Sequence, residues 1–179
     1  MVTDFPAAFA ALRRILLNQA TGMVVKSDTP GECTLVTPAI GPSKKPLWFG
    51  AVMSKKSAVT YHLMPLYYNP ALQAAIAPEL RARMQGKTCF NFQRPDAALF
   101  GKLDELTRLG RECWERAGFL EPGPIPPERF AAALRSAGED PVAIAEQRKA
   151  KGAQAAAKRA ATLRKRAAAP RKATRGRKR

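Results

Sequence analysis

Leu47-Trp48-Phe49-Gly50-Ala51-Val52-Met53, then Ser54-Lys55-Lys56-Ser57, then Ala58-Val59-Thr60-Tyr61-His62-Leu63-Met64 is the stretch that decides the fold. Two runs of seven, rich in β-branched and aromatic residues, flank a four-residue polar connection, the pattern of an antiparallel hairpin. Alternation places Val59, Tyr61 and Leu63 on one face of the second strand and Thr60 and His62 on the other. Upstream, Gly41-Pro42-Ser43-Lys44-Lys45-Pro46 is a polar turn, preceded by a short strand at Thr34-Leu35-Val36-Thr37. Ser27 to Glu32, with Pro30-Gly31, reads as a turn. Downstream, Ala71 to about Met84 suggests one or two helical turns broken near Pro78. Thr88-Cys89-Phe90-Asn91-Phe92 is a further strand.

Helices bracket this β-rich centre. Phe5, Phe9, Leu12, Ile15 and Leu16 recur at spacings of three and four, so a helix is expected from Thr3 to about Asn18. Thr3 or Asp4 is its cap, and Pro6 suits its first turn. Asp96 to Ala117 is the clearest helix, with Leu99, Leu103, Leu106, Cys113, Trp114 and Ala117 as its apolar stripe and Gly118 as its stop. Gly110 inside it costs about 1 kcal/mol relative to Ala. The expectation is an α+β domain with a small curved antiparallel sheet, its face covered by the N- and C-terminal helices.

The charge is unevenly placed. The chain has 179 residues and a formal charge of +17. Residues 1–140 contribute +4; residues 141–179 hold 14 basic side chains against Glu146 alone, a balance of +13. Large apolar residues beyond Gly138 are only Val142, Ile144 and Leu163, too few to offset ordering entropy. The expected organisation is therefore a domain over 1–121, a proline-rich break with a short helix over 122–138, and a basic tail over 139–179, disordered or conditionally helical. No apolar stretch approaches the roughly 18 to 20 residues of a membrane span, and no secretory leader is visible. Cys33, Cys89 and Cys113 are widely spaced and suit free thiols in a reducing compartment. A cytoplasmic location is expected, nucleoid-associated if the tail binds DNA.

One part of the chain is more specific than its composition. Tyr61-His62-Leu63-Met64-Pro65-Leu66-Tyr67-Tyr68-Asn69-Pro70, Pro78-Glu79-Leu80 and Arg83-Met84-Gln85-Gly86-Lys87-Thr88-Cys89-Phe90-Asn91-Phe92 together resemble the YdhG-like domain family. The resemblance covers about Phe5 to Gly118. It implies a frataxin-like arrangement of sheet and helices, and an iron-chaperone role has been linked to some relatives. Iron favours oxygen ligands, yet the first helix here offers Asp4 alone and adds Arg13 and Arg14. The iron function is not carried over.

Several constellations invite chemistry. Gly86-Lys87-Thr88 lacks the earlier glycine of a phosphate loop, because position 81 is Arg81, and a β-rich segment follows where a helix is required. It reads as a strand-entry turn. His62 and Cys89 could form a thiolate–imidazole pair, but no third orienting group is indicated, and a polar His with a buried Cys is the commoner outcome. Zinc would need nearly every Cys and the single His, without close spacing. No catalytic residue, metal or cofactor is assigned. Trp48, Tyr61, Tyr67, Tyr68, Phe90 and Phe92 lie close in sequence to Lys44, Lys45, Lys55, Lys56, Arg83 and Lys87. This cluster is core, a small-ligand groove or a single-strand nucleic-acid surface; as a groove, its residues are Trp48, Tyr61, His62 and Tyr67.

The tail resembles the lysine- and alanine-rich tails of linker-histone-like and nucleoid-associated proteins. Its expected partner is the backbone of DNA or RNA, bound non-specifically through phosphate. The contacts are Lys158, Arg159, Arg164, Lys165, Arg166, Arg171, Lys172, Arg175, Arg177, Lys178 and Arg179. The leading expectation is a non-enzymatic protein whose tail binds nucleic acid. The alternative is a small-ligand or iron-handling module carrying a solvated appendage.

Overall fold

The hairpin is the middle of the sheet. The computed structural model describes residues 3–136 and 150–162, which fall into two units divided after Glu139. In the first unit the element order is α1 (Phe5–Leu17), β1 (Val24–Thr29), β2 (Glu32–Ile40), β3 (Pro46–Ser54), β4 (Val59–Leu63), α2 (Pro65–Tyr68), α3 (Pro70–Ala74), α4 (Pro78–Arg81), β5 (Met84–Gln85), β6 (Cys89–Phe92), α5 (Ala97–Arg116), β7 (Gly123–Pro124) and α6 (Pro127–Ser136). The sheet order is β1-β2-β3-β4-β6-β5, with every neighbouring pair antiparallel. β3 and β4 pair from Gly50 with Leu63 to Ser54 with Val59, so the connection joins them directly. The fold is α+β, with an open sheet.

Caps set the helix starts. Asp4 accepts from Ala7 N–H at 3.0 Å and Asp96 from Leu99 N–H at 3.0 Å, each satisfying an otherwise orphaned amide. α1 buries Ala8, Phe9, Leu12, Ile15 and Leu16; α5 buries Leu99, Phe100, Leu103, Leu106, Thr107, Gly110 and Trp114. Between these helices and the sheet lie Phe49, Val52, Val59, Tyr61, Leu63, Phe90 and Phe92, all buried. Tyr61 is fully buried and its hydroxyl meets Thr107 Oγ1 at 2.9 Å. Thr107 spends its one proton on the Leu103 carbonyl at 2.7 Å, so the phenol is the donor in the pair.

Two glycines permit close approaches. A Cβ on Gly110 would sit 3.2 Å from Pro65 Cβ, which is why the middle of α5 tolerates a residue unfavourable to helices. A Cβ on Gly50 would sit 2.8 Å from the His62 carbonyl oxygen and 3.0 Å from Leu16 Cδ1, so only glycine lets α1 lie this close to β3.

The structure differs from the sequence reading in two places. Val24–Thr29 is a strand; only Pro30-Gly31 is left for the turn that was expected from Ser27 to Glu32. β1 escaped notice because it is an edge strand with neither face covered: Val24 and Val25 are 53% and 44% exposed, so no alternation marks it. The second difference concerns residues 122–138, expected as a proline-rich break and short helix: the helix is present as α6, and the residues before it lie against the sheet. β7 pairs in parallel with the end of β2, Ala39 with Gly123 and Ile40 with Pro124, on the side opposite β3. Ile125, Phe130 and Leu134 are buried, and Phe130 lies 5.6 Å from the Tyr68 ring and 6.1 Å from the Phe119 ring. Proline here fixes the path of a packed segment.

Phe130→Ala should therefore destabilise the domain by about 3–5 kcal/mol, as for any large core aromatic. Urea unfolding followed by Trp fluorescence checks this. A midpoint equal to wild type would make α6 a detached appendage.

Candidate functional site

β4 divides its side chains between two environments. Tyr61 enters the core, while His62, next in sequence, projects from the face turned away from α5. On that outer face His62 is paired in register with Ala51 of β3 and Cys89 of β6. Cys89 Sγ lies 2.8 Å from His62 Nδ1. The Trp48 ring packs on the imidazole at 5.3 Å between centroids, tilted by 37°. Thr88 Oγ1 is 3.6 Å from Cys89 Sγ. A polar row continues along the face: Thr60 Oγ1 donates to Asn91 Oδ1 at 2.9 Å, and Asn91 Nδ2 donates to Gln85 Oε1 at 3.1 Å. Trp48, His62 and Cys89 are all half-buried, within reach of solvent.

The four residues expected to line one groove occupy three places. Trp48 and His62 are together. Tyr61 is removed from the set, because strand alternation and its bond to Thr107 hold it in the core; burial pushes its phenol well above the usual range. Tyr67 on α2 stands in a separate cluster, beside Tyr68 at 5.1 Å and with Lys87 Nζ 5.4 Å from its ring centre. A groove of about 360 Å³ lies elsewhere, between α1 and α5, lined by Arg14, Ile15, Asn18, Phe100 and Asp104 among others. Gly86, at φ 73°, and Lys87 form the turn between β5 and β6, so a strand follows Thr88. Among the described residues no group of three or more His, Cys, Asp and Glu side chains converges as a metal site.

Four cations of the first unit are held by carboxylates. Arg13 pairs with Asp28 at 2.5 Å, Lys102 with Glu79 at 2.9 Å, Arg129 with Glu121 at 3.0 Å, and Arg108 with both Glu105 and Glu112. The hydrogen bond from Arg13 holds the Asp28 carboxyl below its usual value. In the second unit, residues 150–162 form a helix (α7) on which every residue is exposed, Lys151, Lys158 and Arg159 included. The remaining expected contacts, from Arg164 to Arg179, lie outside the described residues.

Comparison with known proteins finds no family model, no curated protein and no solved structure that matches this chain.

The single His makes one property separable. Burial, then the charge of Lys55, holds the His62 imidazole below its ordinary value of 6.5. The folded state thus binds this proton less readily than the unfolded chain. The stability this group contributes is present above the unfolded value and lost as pH falls through the lowered folded one. Between pH 7 and pH 5.5 the wild type should lose stability, whereas His62→Gln should lose measurably less. Urea midpoints at the two pH values check this, and parallel losses would assign the acid sensitivity to carboxylates.

Proposed function

We propose that this chain is a non-enzymatic nucleic-acid-binding protein that grips DNA or RNA through phosphate with its basic C-terminal segment. The supporting observation is the contrast between the two parts of the chain. Residues 1–140 set 17 basic side chains against 13 acidic ones, and Arg13, Lys102, Arg108 and Arg129 are each paired with a carboxylate. Residues 141–179 set 14 basic side chains against one acidic one, so their charge can be neutralised only from outside. Phosphate is the polyanion that takes such a charge, with release of condensed counterions. Alanine between the basic residues favours helix once repulsion is neutralised. Contacts to phosphate carry no base information, so binding is independent of sequence. The first unit is read as a YdhG-like domain in a frataxin-like arrangement with a binding role of its own, and the protein as cytoplasmic, nucleoid-associated where the polyanion is DNA.

Fluorescence anisotropy with random duplex and single-stranded oligonucleotides tests the proposal, using the full chain and residues 1–139. With eight to ten phosphates engaged, the log–log dependence of affinity on salt should have a slope of about −7 to −9 on duplex. Replacing Arg164, Lys165 and Arg166 together with Gln should weaken binding and flatten the slope by about 2 to 3. Residues 1–139 should not bind at moderate salt. Binding retained by that fragment would move the site to the sheet face.

A further inference from the structure

The outer sheet face carries a second chemistry that phosphate binding leaves unused. We propose that Cys89 is a reactive thiol, assisted by His62 as its base, and a site of exchange with small disulfides. Three features of geometry support this. Sγ and Nδ1 are 2.8 Å apart, held by the register that pairs the two residues across β4 and β6. Trp48 packs on the imidazole and fixes its ring plane, so a base need not search for its orientation. Both partners are half-buried, open enough for a small reagent and partly shielded from water.

The protonation state agrees. Burial and Lys55 disfavour the imidazolium, so at neutral pH the ring is neutral and Nδ1 accepts the thiol proton. As Sγ attacks one sulfur of a disulfide, that proton passes to Nδ1. The new bond joins Cys89 to the attacked sulfur while the original S–S bond breaks. The departing thiolate takes the proton from the imidazolium and leaves as a thiol. Cys89 ends oxidised in a mixed disulfide, and the incoming disulfide, the oxidant, has its other half reduced.

The partner must come from outside the chain. Cys33 lies on β2, three strand spacings or about 14 Å from β6, too far for a bridge. It is also fully buried. Cys113 belongs to α5, against the opposite face of the sheet. The adduct on Cys89 therefore has no internal thiol to displace it.

The same two cysteines serve as internal controls. The full-length protein is treated at pH 7 with substoichiometric dithiodipyridine, and separately with oxidised glutathione, and modified cysteines are mapped by mass spectrometry. Cys89 should react about tenfold or more faster than the half-buried Cys113, a modest effect for a positioned base. Cys33 should stay unmodified while the fold is intact. His62→Gln should bring the Cys89 rate down to that of Cys113 and leave Cys113 unchanged. Equal rates at Cys89 and Cys113 in the wild type, or an unaltered Cys89 rate in His62→Gln, would overturn the proposal. If the variant exposes Cys33 it has lost its fold, and the wild-type order of reaction decides alone.

Discussion

The structure depends on β4, five residues long and hydrogen-bonded on both sides. A strand in that position has no freedom of register: a slip by one residue would send Tyr61 to solvent and His62 into the core. The bond from the Tyr61 hydroxyl to Thr107 closes the choice, because a phenol buried there without an acceptor would leave its O–H unsatisfied. β4 thus sets where β3 and β6 lie and which face α5 covers. By the same alternation it presents His62 on the opposite face. Core and site are two sides of one five-residue segment.

Much of this was legible in the sequence because the signals were local and strong. The β3–β4 hairpin, α1 and α5 each carry a periodic apolar stripe bounded by polar or proline-containing punctuation. The failures have different causes. β1 is joined to β2 by a two-residue turn, but neither of its faces is covered, so no alternation marks it. The β7–α6 segment is held by partners distant in sequence: β2 supplies its ladder, and the aromatic cluster of Tyr68, Trp114 and Phe119 receives Phe130. A proline-rich run looks like a connection until something is found for it to lie on.

The sheet face was half legible. Alternation separated His62 from Tyr61, yet both were placed in one aromatic groove on nearness in sequence alone. Register between β4 and β6 brings Cys89 to His62 across 27 positions, and no pattern within either strand reports that pairing. An orienting element is supplied as a ring: Trp48 holds the imidazole by packing. Charge was the easier property, since composition shows where cations gather. Which of them are already matched is knowledge of tertiary structure, and Arg13 with Asp28 is the example, joined from α1 to β1.

β1 has a further consequence. As the terminal strand of the sheet it offers a row of unpaired amides and carbonyls, with Val24 and Val25 exposed beside them, to any neighbouring copy of the chain. Wherever copies crowd together, such a template invites strand-to-strand stacking. Three features interrupt the template: the shift in register between Val25 and Ser27, the charge of Lys26, and the Asp28 carboxylate tied to Arg13. The strand least visible in the sequence is also the one guarded against growth into a fibre.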